Sequence, residues 1–208
     1  YATTNDAHVI ALDARTGKLI WDTTVADYKI GYGYTSGPIV VRGKVIAGIN
    51  GCSRYKEDVC FITGHDASTG KELWRTSTIA KPGEPGGESW GDLPLRFRAG
   101  GDAWIPGSYD PETNLTYWGT GNAGPDWDGD ARLGDNLYSS SVIALDVDTG
   151  KLKWHYQFSP HNEFDWDATQ IPVLADIQFK GRQRKAMLWA NRNGMFYVLD
   201  RTSGEFLL

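Results

Sequence analysis

The stretch Ala144-Leu-Asp-Val-Asp-Thr-Gly-Lys-Leu-Lys-Trp154 predicts a strand, a tight turn and a second strand. The residues just before the turn are mostly apolar, which is typical of a buried strand. In the turn, the side chain of Asp148 can hydrogen-bond to the local backbone and Gly150 can adopt a positive φ. Leu152 and Trp154 then lie on one face of the returning strand, because alternate side chains of a strand point the same way.

The same pattern recurs along the chain. A single Asp-x-x-Thr-Gly turn would mean little, but copies spaced roughly 40 to 55 residues apart indicate a repeat architecture. The other copies are Ala11–Trp21 and His65–Trp74, with weaker relatives at Tyr109–Trp118 and Val198–Leu207. Repeats of this length are typical of four-stranded β-propeller blades. We therefore expect an all-β chain of about four blades, with the rest of the ring outside this sequence because an incomplete ring leaves open sheet edges.

Composition and charge narrow the classes of function. The 208 residues are sufficient for a sizeable core, and the net charge of −5 provides no basic surface for nucleic acid. No run of 18 apolar residues predicts a membrane span. The first residues resemble the middle of a strand-turn unit, so we expect an internal fragment, residues 1–208, of a single propeller domain. Cys52 and Cys60 could form a disulfide, which would favour an oxidising compartment, or be two buried thiols.

Nearly all of the chain reads as short strands joined by turns, and no amphipathic helix is evident. Residues 38–48 predict a hairpin that turns at Arg42-Gly43, and residues 186–199 predict another. Three segments, residues 49–60, 81–94 and 122–138, are polar or rich in Gly and Pro and predict long loops. Because most connections are short, loops of this length are usually functional.

Several of these loop and strand segments resemble the pyrroloquinoline-quinone (PQQ)-dependent alcohol dehydrogenases of the methanol and ethanol dehydrogenase family. The motifs that carry the resemblance are Trp104…Ser108-Tyr-Asp-Pro111, Tyr117-Trp-Gly-Thr-Gly-Asn-Ala123, Gly134-Asp-Asn136, Pro160-His-Asn-Glu-Phe-Asp-Trp-Asp167 and Asn191-Arg-Asn-Gly194. The resemblance implies an eight-bladed propeller with the quinone and a metal ion at the ring axis. It also implies oxidation of a small primary alcohol to an aldehyde, a cytochrome c electron acceptor and a periplasmic location, with a homodimer as one candidate assembly.

The resemblance assigns four residues to the quinone. Trp104 matches an indole that stacks on the planar cofactor, although it could instead be a blade-packing Trp. Arg192 matches an arginine beside the quinone carbonyls, where it would stabilise negative charge; the alternative is a surface hairpin residue. Thr35 and Asn50 match positions that bond the carboxylates of the quinone, or they are ordinary turn residues.

The resemblance also implies a metal site and a catalytic base. Asn122 matches an amide ligand, although it could instead be a residue that stabilises a loop turn. Asp165 matches the base, which also binds the metal. Asp167 resembles the additional carboxylate of lanthanide-dependent members, so we expect a lanthanide(III), with Ca²⁺ as the alternative if this residue is only a solvated loop acid. The family places a glutamate ligand in the region of residues 51–60. This loop is longer here than in the family, and Glu57 is its only Glu, so we expect Glu57 to be this ligand.

Other chemistries find little support. Gly31-Tyr-Gly33 lacks the third glycine of a dinucleotide-binding motif, and the four histidines lack zinc-ligand spacing. The alternative from a different class is a non-catalytic propeller of the outer-membrane assembly type. Such a scaffold would not need the set Trp104, Asn122, Asp165, Asp167 and Arg192.

Overall fold

In the computed structural model, which describes residues 1–56 and 58–208, the near-identical repeats fold in the same way. In the turn of the third copy, Asp146 Oδ1 accepts hydrogen bonds from the backbone N–H groups of Asp148 (3.1 Å) and Thr149 (2.9 Å). Gly150, at φ +71°, donates its N–H to the Asp146 carbonyl (2.8 Å). The turn is therefore stabilised by the first Asp of the motif, through an acceptor that only its carboxylate supplies.

The described residues form antiparallel strands in consecutive sheets. Their bounds are β1 Ala2–Thr3, β2 His8–Leu12, β3 Leu19–Thr24, β4 Ile39–Val41, β5 Lys44–Gly48, β6 Phe61–Asp66, β7 Glu72–Ser77, β8 Ala99–Gly100, β9 Ser108–Asp110, β10 Leu115–Gly119, β11 Ala123–Gly124, β12 Ser141–Asp146, β13 Leu152–Gln157, β14 Val173–Phe179, β15 Arg182–Ala190 and β16 Phe196–Asp200. The four main sheets, in spatial order, are β1-β2-β3, β4-β5-β6-β7, β9-β10-β12-β13 and β14-β15-β16. We refer to them as blades 1 to 4.

The tryptophan of each repeat packs against the turn of the next blade. Trp74, in β7 of blade 2, covers Gly150 of blade 3 so closely that a Cβ on this glycine would lie 2.6 Å from the indole. The indole Nε1 donates a hydrogen bond to the Val147 carbonyl (3.0 Å). Trp21 and Trp154 occupy the equivalent positions against the turns at Gly70 and Gly204. The prediction that the three indoles lie in equivalent places between sheets is confirmed.

Apolar side chains fill the spaces between successive blades. The cluster between blades 1 and 2 includes Val9, Val45 and Phe61. Between blades 2 and 3 it includes Ile46, Trp118 and Ile143, and between blades 3 and 4 it includes Tyr117, Val142, Met187, Trp189 and Leu199. Blades 2 and 3 thus bury both faces against neighbouring sheets, and blades 1 and 4 each bury one face, as face-to-face sheet packing requires.

Most of the sequence-based fold predictions are confirmed, with three differences. The acceptor in the turn of the third repeat is Asp146 and not Asp148, whose carboxylate accepts hydrogen bonds from Lys44 and Asn114 instead. The hairpins at residues 38–48 and 186–199 are present, and Cys52 and Cys60 form a disulfide with Cα atoms 5.3 Å apart. Among residues 1–56 and 58–208, blades 2 and 3 have four strands, whereas blades 1 and 4 have three. The loop at 122–138 contains β11, a two-residue strand too short for a sequence pattern to reveal. No helix among residues 1–56 and 58–208 has the length and apolar character needed to cross a membrane.

Candidate active site

Blades 2 to 4 each begin with a hairpin whose open end carries candidate site residues. The first strand of each hairpin is entered from this end, and the second strand leaves at the same end because the two strands are antiparallel. The residues are Thr35 and Asn50 at β4–β5, Trp104 and Asn122 at β9–β10, and Asp165, Asp167 and Arg192 at β14–β15. The fold therefore brings residues that are distant in the sequence to one end of three neighbouring blades.

Backbone hydrogen bonds join these open ends into a continuous wall. Asn50 and Gly33 exchange N–H···O bonds of 3.0 and 3.2 Å. Toward blade 3, Ala103 N–H donates to the Ile49 carbonyl (3.1 Å) and Gly121 N–H donates to the Asp102 carbonyl (2.8 Å). Toward blade 4, Ala168 N–H donates to the Thr120 carbonyl (3.1 Å). The open ends of blades 2, 3 and 4 are thus held together by main-chain hydrogen bonds.

Asp167 is the buried acid of this wall. Its Oδ1 accepts a hydrogen bond from the Asn122 backbone N–H (3.0 Å), and its Oδ2 lies 2.7 Å from Arg192 Nη1. Burial raises the pKa of Asp167 to about 6, and the neighbouring Asp165 adds to this effect, whereas the Asn122 N–H and Arg192 oppose it. A carboxylate held in this environment would be stabilised in its charged form by a cation.

Asp165 and Arg192 form the more exposed part of the site. Asp165 is held at φ +55°, in the left-handed region, and its Oδ2 lies 3.4 Å from Arg192 Nη2. The Arg192 side chain is 51% exposed and contacts both acids through its two terminal nitrogens. One guanidinium therefore orients two carboxylates that the sequence places two residues apart.

Asn122 presents a directed amide group. The residue is buried, and its Nδ2 donates to Asp126 Oδ1 (2.8 Å) and to the Ala123 carbonyl (3.1 Å). These two bonds fix the orientation of the amide. Among the described residues no donor reaches Oδ1, which is the atom that a hard cation would bind.

Trp104 is half-buried and lies beside the acids. A Cβ on Gly121 would lie 2.9 Å from the Trp104 ring and 3.0 Å from Asp167 Oδ1. Only a glycine at residue 121 allows the indole and the carboxylate to approach each other in this way. Trp104 does not occupy the position of the blade-packing indoles, so the alternative that it is one of them is not supported.

The remaining predicted site residues are less constrained. Thr35 is exposed on the segment that leads into β4, and Asn50 is partly buried, with its backbone paired to Gly33. Glu57, the predicted glutamate ligand, lies outside the described residues.

Sequence reasoning missed Asp102, which lies between the disulfide and Asn122. Its carboxylate oxygen and both sulfur atoms lie within 4.8 Å of one another, but the sulfurs are bonded to each other and are not thiolate ligands. Asp102 lines a cleft of about 1000 Å³. The cleft is bounded by residues 31, 51–55, 99–100, 102 and 124–128, and we call it the disulfide cleft. The only sequence signal was an isolated acid in the otherwise uncharged stretch Ala99–Trp104.

The residues present fit both a metal ion and a planar quinone. Asp165 and Asp167 place two acids against one guanidinium, and the charges of Asp165 and Asp102 both raise the pKa of Asp167. This surplus of negative charge, together with the Asn122 amide, is a donor set suited to a hard multivalent cation. The Trp104 ring provides a flat apolar surface next to these ligands, as stacking of a planar cofactor requires.

Comparisons with known proteins agree with this chemistry. The family model described as "PQQ: Glucose/ethanol/alcohol dehydrogenase, beta-propeller domain" matches residues 1–208. The quinohemoprotein alcohol dehydrogenase ADH IIB of Pseudomonas putida is 43% identical over 222 residues, which cover 100% of this chain and 31% of that protein. Subunit 1 of the methanol dehydrogenase [cytochrome c] of Methylobacterium organophilum is 34% identical, covering 97% of this chain and 35% of that protein.

Solved structures with a similar fold include a methanol dehydrogenase and BamB. A europium-containing methanol dehydrogenase superimposes with a TM-score of 0.90 at 33% identity, covering 98% of this chain and 38% of that one. BamB from Moraxella catarrhalis shares the fold, with a TM-score of 0.51 at 18% identity over 99% of this chain and 59% of its own. The chain spans about a third of the length of the curated relatives described above, 31% and 35% of the two proteins.

Proposed function

We propose a function from the premise that this chain belongs to the family of PQQ-dependent glucose, ethanol and alcohol dehydrogenases with a β-propeller domain. The full-length protein oxidises a primary alcohol to an aldehyde. It would use pyrroloquinoline quinone and a bound metal ion, and pass the electrons to a cytochrome c. The observation that carries the proposal is the cluster of Asp165, Asp167, Asn122 and Arg192 beside the Trp104 ring.

Each residue has a defined role in this proposal. When bound, the quinone supplies the oxidant that takes a hydride from the alcohol carbon, and the metal supplies positive charge. Asp165 accepts the hydroxyl proton of the alcohol. Arg192 orients the Asp165 carboxylate, with its Nη2 3.4 Å from Oδ2. Asp167 and the amide oxygen of Asn122 hold the metal, with Asp165 and Glu57 as its further proposed ligands. Thr35 and Asn50 donate hydrogen bonds to the carboxylates of the quinone.

The metal is proposed to be a lanthanide(III), with Ca²⁺ as the alternative. A buried second carboxylate at Asp167 supports the trivalent ion, because one more negative ligand offsets its additional charge. The europium in the related methanol dehydrogenase is consistent with this choice. The Cys52–Cys60 disulfide supports a periplasmic location, where thiols are oxidised.

The scaffold alternative is not favoured. BamB resembles this chain at 18% identity, which reflects the shared fold, whereas the alcohol dehydrogenase ADH IIB is 43% identical. A scaffold also gains nothing from burying Asp167, because desolvating a carboxylate costs free energy.

The test is steady-state turnover of the purified full-length protein after reconstitution with quinone and either lanthanum or calcium. We expect alcohol-dependent reduction of an artificial electron acceptor. The variant Asp165→Asn should lower kcat by about a hundredfold or more, the range of general base catalysis. The variant Asp22→Asn, at an exposed acid of blade 1, is the control and should keep full activity. If no alcohol is oxidised by the reconstituted wild type, or if Asp165→Asn keeps wild-type kcat, the proposal is wrong.

A further inference from the structure

The carboxylate of Asp102 fixes the backbone at the start of the disulfide loop, the loop that the Cys52–Cys60 bond closes. Its Oδ1 accepts hydrogen bonds from the N–H groups of Gly51 (2.6 Å) and Cys52 (3.2 Å). An ionised carboxylate only accepts hydrogen bonds, so one oxygen can satisfy both donors, and such charge-assisted bonds are stronger than neutral ones. Asp102 therefore supplies, for these two N–H groups, the acceptor that a neighbouring strand would supply in a sheet.

The Gly51 peptide is also held from its other side. Its carbonyl accepts a hydrogen bond from Lys56 Nζ, and this ammonium lies 3.9 Å from the centroid of the Tyr32 ring. Gly51 has φ +85°, and a Cβ there would overlap the Gly31 carbonyl. The position of this peptide is thus determined by contacts on all sides, and it requires glycine.

Asp102 connects two walls that carry different candidate site residues. On one side, its carboxylate fixes the segment from Asn50 to Cys52, which includes a proposed quinone ligand and a wall of the disulfide cleft. On the other side, the Asp102 carbonyl accepts the Gly121 N–H (2.8 Å), and Gly101 N–H donates to the Asn122 carbonyl (2.9 Å). Asp102 therefore links the segment that carries Asn50 to the strand end that carries Asn122, beside the backbone bonds from Ala103 to Ile49 and from Gly100 to Cys52.

We propose that Asp102 is a positioning residue for quinone binding, whose carboxylate holds the Asn50–Cys52 segment at a fixed distance from the strand end that carries Asn122. This inference rests on the function proposed above. The role is that of an acceptor for two backbone N–H groups. It is not that of a metal ligand, because the carboxylate oxygen that bonds these amides lies on the disulfide side of the residue.

Burial of this acid has a cost that a purely incidental residue would not sustain. Desolvation raises the pKa of Asp102, and the backbone N–H groups of Cys52 and Gly51 and the ammonium of Lys56 act in the opposite direction. The Asn50–Cys52 segment is therefore held in place at the cost of desolvating a charge. This is expected where the geometry of a site matters more than stability.

The test compares two substitutions of Asp102 in the full-length apoprotein with added quinone and metal. The variant D102A removes the acceptor of two charge-assisted hydrogen bonds, and because the Asn50–Cys52 segment then loses its fixed position we expect the quinone Kd to rise by about tenfold or more. The variant D102N keeps an acceptor oxygen of the same shape and should recover most of this affinity. Hydrogen exchange of the Gly51 and Cys52 amides should accelerate in D102A and remain slow in D102N.

The matched control is Asp66→Ala. Asp66 Oδ1 also accepts two backbone N–H groups, from Ser68 (3.0 Å) and Thr69 (2.9 Å), but at a turn on the outer part of blade 2. D66A should lower stability without changing the quinone Kd of the folded protein. If D102A binds quinone as tightly as the wild type, or if D102N is as impaired as D102A, the positioning role is wrong. Failure of the wild type to bind quinone would instead overturn the proposed function.

Discussion

Arg192 Nη1 lies 2.7 Å from Oδ2 of Asp167, although Asp167 precedes the β14–β15 hairpin in the sequence and Arg192 follows it. The carboxylate is buried, whereas the guanidinium is half exposed. Arg192 also faces Asp165, so one guanidinium charge is shared by two carboxylates. One negative charge is therefore left unbalanced next to the Asn122 amide. This charge imbalance is the physical basis for the proposed metal site.

Removal of the Asp167 carboxylate should therefore discriminate between metals. In the full-length enzyme loaded with quinone, Asp167→Ala should lower lanthanum-supported turnover by at least about tenfold more than calcium-supported turnover, because ligand charge sets the affinity of oxygen sites for hard cations. The measurement is turnover with each metal at the same limiting concentration, together with the metal Kd. Asp130→Ala, at an exposed acid of the 122–138 loop, is the control. If lanthanum activity survives in Asp167→Ala, the residue is an ordinary loop acid and the ion is calcium.

The packing of Trp74 on Gly150 predicts how the blades respond to mutation. Gly150→Ala places a Cβ 2.6 Å from the indole at φ +71°, whereas Gly43→Ala, at φ +74°, meets no atom within 4 Å. Gly43→Ala should cost only the backbone strain of about 1–2 kcal/mol, and Gly150→Ala should cost about 1–3 kcal/mol more from overpacking. Denaturant unfolding of both variants measures the difference. Equal free energies of unfolding would show that Trp74 moves aside without cost.

Buried His65 predicts a pH dependence of stability. Its Nδ1 lies 3.1 Å from the Gly70 carbonyl and its Nε2 lies 3.0 Å from Thr63 Oγ1, which fits a neutral ring. Burial lowers the pKa of His65 below its ordinary value of 6.5, so the folded state binds this proton less tightly than the unfolded chain. The contribution to stability is therefore complete above pH 6.5 and is lost as the pH falls.

The measurement is Tm against pH for wild type and His65→Gln, from about pH 8 to pH 5. The wild type should lose Tm more steeply on the acidic side than His65→Gln. The difference between the two profiles isolates this imidazole, because all other titrating groups are common to both. Parallel profiles would mean that His65 accepts a proton in the folded state without cost.

The Cys52–Cys60 disulfide should contribute measurably to stability. Its loop is short, with a sequence separation of 8, so the double variant Cys52→Ser/Cys60→Ser should lower the free energy of unfolding by about 2–3 kcal/mol on the loop-entropy model. Thiol labelling of the unreduced, denatured protein should modify neither cysteine. Labelling of both residues would show that the bridge does not form and would weaken the periplasmic assignment.

The repeat pattern was sufficient to predict the blades because it combines local turn chemistry with packing between sheets. The Asp, Gly and Trp of the motif each have one structural task, and all three indoles lie where the pattern placed them. The hydrogen bonds of the indoles were less predictable. Trp154 Nε1 has no partner among the described residues, since the equivalent carbonyl, that of Arg201, accepts the Tyr117 hydroxyl instead (2.9 Å). This substitution depends on a contact between residues 84 positions apart.

The site was less accessible to sequence reasoning than the fold. The motif resemblance selected Trp104, Asn122, Asp165, Asp167 and Arg192, and the structure places these side chains in one cluster. Their roles remain predictions. Asp102 was missed because its partners are backbone N–H groups, which leave no mark in the sequence. The disulfide loop is longer here than in the family, and Glu57 lies in it, outside the described residues.

The most direct test of the central claim is a single-turnover measurement on the full-length protein. The apoprotein is loaded with PQQ and lanthanum or calcium, and alcohol is added without an electron acceptor while the visible spectrum of the quinone is recorded. The account predicts that the bound quinone is reduced, with aldehyde formed in equal amount, and that Asp165→Asn binds the quinone but reduces it at least about a hundredfold more slowly. A quinone that does not bind, or that stays oxidised in the wild type with excess alcohol and either metal, would contradict the account.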